Sequence, residues 1–593
     1  MKFTLRSLHL DRIFLRFFTG WCLAATVETL LNPYGFLTES FFHYLSLWRF
    51  MAVLIAVVAV MTVASILRDS AVNETRLMAG ASLLYCLTLV DAEPYLYFAL
   101  CLSLVLLFIG VYALQKDRLG LQTLTVSDKT VKIVIAVAAL LFIGFSASVT
   151  VCRYLSYSSS TFDLGIFSQM FHYMKTTGLP LTTCEREGLL SHFAVHISPI
   201  WYLMLPFYAL FPSPVTLQVL QSLILASAVI PLYLLAKKMG LSPKAILILC
   251  VCFCAFPALS GGQFYDVHEN CFLTPLLFWM LYFFEKEKSL PMWGFAVLTL
   301  LVKEDAAIYV AAVALYMVCG RKQYKRGIPL LLAAIAWFFA ATALLSVFGD
   351  GEMSASRFGP YLIGDSTGML SVLKTVFINP GLLLFEVFQE DKIKFLLQML
   401  LPLGFLPFCG KKLSRLTLLI PMLLVNLMPD WQYQYSIFFQ YVFGSTALLF
   451  YLTLLNVREL SAKRRRFMLP MIAAFTLLIA VSQLSGSFNT VTHYFEKKET
   501  YETITEQLEK IPEEVSVSAH GFYLPHLTDR EFVYDLSTDT PAEYVVIDLR
   551  AGAEEKAEQL ANYYHTYPDR YEEVAYEQKL IAIYRDRQYV GQK

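Results

Sequence analysis

Apolar runs close to the length of a bilayer crossing recur along most of this chain, from about residue 13 to residue 485. A transmembrane helix needs roughly 20 consecutive apolar residues, because the hydrocarbon core of a bilayer is about 30 Å thick. The composition agrees, since 57% of the residues are hydrophobic, 16% are charged and the mean hydropathy is +0.55. The sequence therefore predicts an α-helical polytopic membrane protein.

Charge balance and cysteine placement argue against several other classes. Lysine and arginine together number 47, as do aspartate and glutamate, and no basic stripe alternates with aromatic residues, so nothing indicates nucleic-acid binding. Most of the 11 cysteines lie in apolar runs, and no Cys-x-x-Cys pair occurs. Lys2, Arg6 and Arg12 precede the first apolar run with no small-residue cleavage site after it, which favours a retained first span over a removed signal peptide.

Basic residues indicate how the spans are oriented, since lysine and arginine concentrate in cytoplasmic loops. Placing every basic cluster inside predicts about 13–15 transmembrane helices in the plasma membrane, with the N-terminus cytoplasmic and the C-terminal region outside. The predicted crossings are 13–31, 50–67, 77–91, 95–115, 131–151, 215–236, 245–260, 271–284, 291–302, 307–320, 328–348, 395–410, 416–429, 435–456 and 467–485.

One apolar stretch, 197–211, does not fit this alternation. It contains two prolines and is followed by Pro-Ser-Pro at 212–214. We interpret it as an interfacial or re-entrant segment, because irregular backbone persists at membrane depth only where protein covers it. A full crossing here would reverse the orientation of the chain on one side of it.

Three parts follow from this threading. Residues 1–125 form accessory transmembrane helices, residues 126–488 form a transmembrane core, and residues 489–593 form a small soluble α/β domain outside the cytoplasm. Two long outer loops of the core run over 153–196 and 349–394. In the tail, the pattern predicts helices over 499–510 and 553–564, strands over 515–518, 532–536 and 543–549, and a final hairpin over 574–585.

The first candidate for chemistry is Asp163, in Thr-Phe-Asp-Leu-Gly-Ile-Phe (161–167) of the first outer loop. A carboxylate among apolar residues at a bilayer surface has a raised pKa unless it is paired, which suits a general base. The alternative is a helix cap, in which Asp163 opens an amphipathic helix lying on the membrane. From this residue alone, the cap is the better interpretation.

Two further candidates contain histidine. His192 and His196 share a face if helical, and such a pair can ligate a metal, although no third ligand is identifiable nearby and interfacial histidines that bond backbone or headgroups are commoner. Asp266 and His268 lie in a connector between two predicted spans, where an acid beside an imidazole can share a proton or orient a nucleophile. A solvated turn explains these two residues about equally well.

Charged residues also stand in two other connectors. Lys303, Glu304 and Asp305 follow one another between two short apolar runs, which leaves little room for a solvated face. The lysine could neutralise a phosphate while the carboxylates hold it or act in chemistry; an internal ion pair is the alternative. Arg357, in the second outer loop, could reach a lipid phosphate or merely a headgroup.

Several segments together resemble the family of membrane proteins called domain of unknown function 2079. They are FDLGIFSQ (162–169), HISPIWYLMLPFYALFPSPVTLQVLQ (196–221), PLYLLAKK (231–238), FYDVHEN (264–270), LLVKED (300–305), RFGPYLIGD (357–365), PLGFLPF (402–408) and VSVSAHGFYLPHLTDR (515–530). The resemblance covers roughly residues 130–550 and leaves out the first four predicted spans. That family is in turn similar to the GT-C superfamily of integral membrane glycosyltransferases, which take a sugar from a polyprenyl-phosphate or polyprenyl-diphosphate carrier.

This resemblance implies roles for particular residues. Asp163 takes the place of the catalytic aspartate of the first long outer loop, and 163–211 the place of that loop's surface helices. Lys303 falls where some relatives have a basic residue after a short span. The first loop here has no Asp-x-Asp or paired acidic motif. The sequence therefore predicts no cofactor with certainty. A divalent metal is possible, but no acidic pair in the first loop supports it.

The resulting hypothesis is inverting glycosyl transfer at the outer membrane face, from a polyprenyl-phosphate-linked sugar to an unknown acceptor. Asp163 would deprotonate the acceptor, with Asp266 or His268 orienting it. The lipid phosphate would be bound by a group of polar residues, namely Lys303, Glu304, Asp305, Arg357 and His196. The alternatives are a transporter or lipid flippase of cell-envelope precursors, disfavoured because no internal repeat is evident, and a structural membrane protein.

Overall fold

The computed structural model of the protein describes residues 9–33, 41–68, 71–121, 123–186, 188–349, 356–362, 368–550 and 554–590. These residues form a mostly helical protein with a small sheet near the C-terminus, which confirms the predicted fold class. Within these ranges, nine helical segments are long and apolar enough to cross a membrane. They are Ile13–Leu31, Leu47–Leu67, Leu96–Leu114, Asp128–Leu155, Pro214–Lys238, Pro243–Gly261, Tyr324–Phe348, Gln440–Glu459 and Ala462–Glu496.

The described ranges contain twenty-four α-helices, many of them separated by short 3₁₀ or wide turns. The first twelve are α1 (Ile13–Leu31), α2 (Phe41–Tyr44), α3 (Leu47–Leu67), α4 (Ala71–Ala92), α5 (Leu96–Leu114), α6 (Asp128–Leu155), α7 (Ile166–Thr177), α8 (Leu205–Leu210), α9 (Pro214–Ser227), α10 (Val229–Lys238), α11 (Pro243–Cys254) and α12 (Pro257–Gly261). The remaining twelve are α13 (Leu273–Glu285), α14 (Ser289–Leu300), α15 (Ala306–Leu315), α16 (Tyr324–Phe348), α17 (Met369–Ile378), α18 (Pro380–Val387), α19 (Glu390–Leu400), α20 (Phe443–Glu459), α21 (Ala462–Leu484), α22 (Asn489–Glu496), α23 (Lys498–Leu508) and α24 (Glu554–Thr566).

Six of the predicted crossings differ from these nine segments. They are 77–91, 271–284, 291–302, 307–320, 395–410 and 416–429, and they form α4, helices of 10–13 residues, or irregular turns. The physical reason is length and charge: α13, α14, α15 and α19 have 10–13 residues, fewer than the roughly 20 that cross a bilayer, and α4 contains Glu74, Arg76 and Asp91. Apolar composition alone does not show how far a helix continues, since α13 is apolar and buried along almost its whole length.

The stretch 197–211 does not form a continuous helix. It consists of a 3₁₀ turn, Pro199–Leu203, and the six-residue helix α8, both far too short to cross a bilayer. The backbone N–H of Ile200 donates to the carbonyl oxygen of Leu301 (3.1 Å), so this stretch lies against the connector that carries Lys303.

The N-terminal helices pack as a group with its own buried ion pair. α1 contacts α3 and α4, and the guanidinium of Arg16 donates to both carboxylate oxygens of Glu74 (3.1 and 3.0 Å). α5 packs against α21, which joins this group to the remaining helices.

The C-terminal region contains one five-stranded mixed sheet. Its strands are β3 (Val517–Ala519), β4 (Val533–Asp535), β5 (Tyr544–Asp548), β6 (Tyr571–Glu577) and β7 (Ile581–Asp586). The two earlier strands, β1 (Leu181–Thr182) and β2 (Leu190–Ser191), form a separate short antiparallel hairpin after α7. The strand order is β4-β3-β5-β7-β6, with β3 parallel to both β4 and β5 and the other pairs antiparallel. Val545 and Ile547 pack on α24, while Val546 joins the main hydrophobic core. The helices, strands and hairpin predicted for this tail are confirmed.

Close packing between α15 and α20 predicts opposite effects of two glycine substitutions. A methyl group at Gly444 would overlap the ring of Tyr309, which is 1% exposed, whereas one at Gly294 in α14 meets no atom within 4 Å. We expect Gly444→Ala to lower the thermal unfolding temperature, since overpacking costs about 1–3 kcal/mol. Gly294→Ala should leave it unchanged or raise it, because alanine is the better helix former. Thermal unfolding of both purified variants checks this, and equal temperatures would contradict the packing.

Candidate active site

Asp163 lies in an irregular turn between α6 and α7. Residues Thr161–Gly165 form one wide turn in which Asp163 has φ 64° and ψ −76°, torsions that residues with a side chain rarely adopt. The cap position of α7 is Gly165, no side chain caps the helix, and protein buries most of α7. The interpretation of Asp163 as the cap of a helix on the membrane surface is therefore wrong. Such backbone strain persists where the surroundings enforce it, often at functional sites.

The carboxyl group of Asp163 is close to several charges and is paired with none of them. Burial first, and then the carboxylates of Asp266 and Glu269, raise its pKa to about 8, against an opposing effect of Lys303. Among the residues that the structure describes, no side chain or backbone group forms a hydrogen bond or ion pair with this carboxyl group. A carboxylate with a pKa near neutrality suits proton transfer as a general base.

Asp266 fastens the loop that carries Asp163. Its Oδ1 accepts hydrogen bonds from Ser159 Oγ (2.9 Å) and Gln218 Nε2 (3.1 Å), and its Oδ2 lies 3.5 Å from Arg153 Nη1. Burial raises the pKa of Asp266 to about 6, although Arg153 and the two hydrogen bonds act in the opposite direction. These contacts join the end of α6, the start of α9 and the residues that precede Asp163.

Lys303 forms a buried ion pair with Glu269, a carboxylate that the sequence analysis did not select. Its Nζ lies 3.3 Å from Glu269 Oε1, and Glu269 Oε2 lies 3.1 Å from His268 Nδ1. Burial lowers the pKa of Lys303, but Glu269, Glu304 and Asp305 outweigh it and raise this pKa, so the ammonium stays charged. Burial, followed by the charge of Lys303, holds the pKa of His268 below its usual value, and this imidazole is therefore neutral.

The other two members of the charged triplet have different surroundings. Glu304 Oε1 lies 2.9 Å from His196 Nδ1, and Oε2 accepts the backbone N–H of Ile197 (3.2 Å). Burial opposes ionisation of Glu304, but His196 and Lys303 outweigh it and lower its pKa to about 2. Burial instead raises the pKa of Asp305, whose Oδ1 has no hydrogen-bond partner in the described part of the chain. Glu304 therefore ties the connector to the segment that follows His196.

His192 and His196 do not act as a pair. Their rings are 6.0 Å apart, and His192 Nδ1 lies 2.9 Å from Glu185 Oε2, so each imidazole has a different carboxylate partner. Burial opposes protonation of His192, but Glu185 prevails and raises its pKa. Glu185 is not among the residues predicted from the sequence, because no local pattern joins it to His192. Among the described residues, no group of three or more His, Cys, Asp or Glu side chains is placed to hold a metal ion.

Arg357 lies on aromatic rings that the sequence analysis did not select. Its guanidinium carbon is 3.8 Å from the ring centre of Trp431 and 5.8 Å from that of Tyr441. Its carbonyl oxygen accepts the N–H of Asp430 (2.7 Å), and its Nε is buried without a hydrogen-bond partner in the described ranges. Tyr441 continues toward His268, whose ring centre is 6.5 Å away. The ring of Tyr441 thus lies between Arg357 and His268, and His268 is next to the buried pair of Glu269 and Lys303.

The predicted polar residues therefore lie in one connected region, although they come from connectors far apart in the sequence. Phe167, one turn after Asp163, contacts both His192 and His268, with ring centres 5.3 and 5.7 Å away. We call this region the candidate site. It contains the predicted Asp163, His196, Asp266, His268, Lys303, Glu304, Asp305 and Arg357, together with Glu185, His192, Glu269 and Tyr441.

Comparison with known proteins identifies the family. The family described as "Predicted membrane protein (DUF2079)" matches residues 153–579. The chain belongs to this family. The match contains the whole candidate site and most of the C-terminal sheet, and it confirms the resemblance seen in the sequence.

No curated protein matches this DUF2079 protein. Among solved structures, it is similar to ArnT from Cupriavidus metallidurans bound to undecaprenyl phosphate, with 12% identity and a TM-score of 0.49; the match covers 79% of this chain and 100% of that chain.

The raised pKa of Asp163 predicts how its removal changes stability with pH. The folded state holds this proton up to about pH 8, whereas the unfolded state releases it near 3.8. The stability that the group contributes is therefore full below the unfolded value and is lost as the pH rises through the folded value. We expect Asp163→Asn to raise the unfolding temperature at pH 8.5 and to change it little at pH 4. Thermal unfolding across this range, with the exposed Asp569→Asn as control, measures the difference, and parallel curves for wild type and Asp163→Asn would contradict it.

Proposed function

We propose that this protein is an integral membrane glycosyltransferase that moves a sugar from a polyprenyl-phosphate-type carrier to an acceptor hydroxyl at the outer face of the plasma membrane. The observation that carries the proposal is that one site contains both a carboxylate suited to act as a base and cations suited to bind a phosphate. Asp163, a carboxylate with a raised pKa and no hydrogen-bond partner in the described residues, lies near the cation Lys303, and the charges of Asp163, Lys303 and Arg357 all act on the hydroxyl group of Tyr441. A base and an anion-binding group are what this transfer requires.

In the proposed step, the acceptor oxygen attacks the anomeric carbon of the sugar. Asp163 takes the proton from the acceptor hydroxyl as the new carbon–oxygen bond forms. The bond between the anomeric carbon and the phosphate oxygen breaks, and its electron pair leaves with the lipid phosphate. Charge therefore develops on the phosphate, where a cation stabilises the transition state more than the ground state.

Lys303 and Arg357 suit the leaving phosphate for different reasons. Lys303 keeps its charge in a buried position because Glu269 lies 3.3 Å away. Arg357 stacks on Trp431 through its flat face, which leaves its N–H groups directed along the plane, the geometry that binds phosphate oxygens. His196 and Glu304 hold the connector before Lys303 in place. Asp266 fastens the loop, and the neutral His268 lies beside the buried pair while its Nδ1 accepts the backbone N–H of Asn270, so a positioning role fits both better than contact with the acceptor.

The geometry of α6 supports the sidedness of the proposal. This helix has 28 residues and is therefore about 42 Å long, more than the hydrocarbon thickness of a bilayer. Its first residue, Asp128, pairs with Lys237 (3.0 Å) in a lysine-rich region, and its last turn carries Arg153 beside Asp266. Since lysine-rich loops are typically cytoplasmic, the candidate site belongs to the opposite face.

Replacing the proposed base provides the first test. We expect Asp163→Asn to lower sugar transfer from labelled polyprenyl-phosphate sugars in proteoliposomes by about 10²–10⁴-fold, the usual contribution of a general base. Transfer by the wild type should rise with pH and level off above about 8, because the base must be ionised. Asp569→Asn, an exposed change of the same kind, should retain full activity. Wild-type transfer rates in the Asp163→Asn variant would exclude the assigned role.

Lys303 requires a variant that separates charge from folding. Removing Lys303 alone leaves Glu269 buried and unpaired, which typically destabilises by about 3–5 kcal/mol. The double variant Lys303→Met, Glu269→Gln removes both charges, so it should keep the unfolding temperature closer to wild type while losing transfer at least about 100-fold. Lys374→Met, on the exposed face of α17, is the matched control. Full activity in the folded double variant would rule out a phosphate-binding role for Lys303.

A further inference from the structure

The parallel part of the C-terminal sheet has an edge at which α/β proteins usually bind a ligand. β3 pairs in parallel with β4 on one side and with β5 on the other. The connection that follows β3 therefore leads to its neighbour on one side, and the connection that follows β4 leads to the strand on the other side of β3. In open α/β sheets, ligands bind outside the carboxyl ends of the strands at such a reversal. Asp535 ends β4, and Arg550 follows shortly after β5.

A segment of the membrane part of the chain lies against this edge. Thr161 Oγ1 donates to Asp535 Oδ2 (2.6 Å), and Arg550 donates to the carbonyl oxygens of Ser156 (3.3 Å) and Tyr157 (2.9 Å). Arg550 is in turn held by Asp548 (2.6 Å). We call residues 156–161 the docked segment. It ends two residues before Asp163.

Aromatic contacts hold the start of the docked segment. The ring of His526 stacks between those of Tyr154 and Tyr157, with both ring centres 4.0 Å away. Burial lowers the pKa of His526 to about 3, so the ring is neutral and its Nε2–H donates to the carbonyl oxygen of Tyr154 (3.0 Å). The hydroxyl groups of Tyr157 and Thr505 share a further hydrogen bond (2.7 Å).

The residues that follow Asp163 are held by the same domain. A methyl group at Gly165 would come within 3.0 Å of Leu524, so only glycine permits this approach without a shift. Ser168 and Thr528 share a hydrogen bond (2.7 Å), and Gln169 Nε2 donates to the carbonyl oxygen of Glu531 (3.0 Å). The residues before Asp163 and the residues after it are thus both held by contacts to the C-terminal domain.

We propose that the carboxyl edge of β3, β4 and β5 is the receptor for the docked segment, and that Asp535 is a positioning residue for Asp163. Asp535 Oδ1 accepts from the backbone N–H and hydroxyl of Ser537 (2.9 and 2.6 Å), which orients Oδ2 toward Thr161. The hydrogen bond between Thr161 and Asp535 holds the turn in place, so that Asp163 keeps backbone torsions that an aspartate does not adopt by preference. The docking stands on these contacts alone, while its effect on catalysis rests on the proposed function.

Amide hydrogen exchange of the full-length protein tests the docking without any substrate. Thr161→Val removes the hydroxyl at nearly constant shape, and Asp535→Ala removes its acceptor. Each should speed exchange in peptides covering 156–166 by about 10- to 100-fold, the usual effect of losing a hydrogen bond to a charged group. The double variant should be no worse than either single variant, because both remove one interaction. Thr161→Ser, which keeps the hydroxyl, and the exposed Asp569→Asn should exchange like wild type.

Sugar transfer by the same variants tests the positioning role. We expect Thr161→Val and Asp535→Ala to lower kcat by about 10- to 100-fold with little change in KM for the lipid donor, and Thr161→Ser to restore kcat. The rise of the rate with pH should move below 8, since a released Asp163 leaves the buried position and the neighbouring carboxylates of Asp266 and Glu269, which together raise its pKa.

The outcomes separate this inference from the proposed function. Unchanged exchange over 156–166 in both Thr161→Val and Asp535→Ala would overturn the docking. Faster exchange with unchanged kcat and pH profile would overturn the positioning role of Asp535. Faster exchange in a protein whose wild type transfers no sugar from any polyprenyl-phosphate donor would uphold the docking and overturn the proposed glycosyl transfer.

Discussion

Charged groups are costly inside a membrane-embedded protein unless each is paired, and the architecture around the candidate site depends on this constraint. Lys303 lies beside Glu269, and Glu304 lies beside His196, which is 108 positions away in the sequence. Each pair joins two connectors, so satisfying buried charge also assembles the site. Asp163 and Asp305 are exceptions, since the Asp163 carboxyl group and Asp305 Oδ1 have no such partner in the described residues, and burial raises the pKa of both side chains.

Paired and unpaired carboxyl groups belong to different residues of the site. Asp266 has three partners within hydrogen-bond or ion-pair distance and fastens the loop, whereas Asp163 is carried by that loop and stays unpaired in the described structure. The C-terminal domain contributes to the same division, because Asp535 and Arg550 contact residues immediately before Asp163. The C-terminal residues and the helical part therefore meet around the Asp163 turn.

Features set by local pattern were predictable from the sequence. The tail elements agree with the alternation of apolar residues, because strands such as β5 and helices such as α23 reveal their period over a few residues. The number of long spans was less predictable. α13 is as apolar as a transmembrane helix but has 13 residues and is buried by protein. An apolar sequence shows that the segment avoids water, but it does not show whether protein or lipid surrounds the segment instead.

The candidate residues could be found because a charge in apolar surroundings is visible within a few positions, as in Lys303 or Asp163. Membrane class and family motifs are equally local properties of the sequence. The pairing of Lys303 with Glu269, and the bond from Thr161 to Asp535, 374 positions away, depend on packing between distant segments. No local pattern encodes such contacts, because their energy exists only once the helices and the sheet have come together; the strained torsions of Asp163 are a consequence of that assembly.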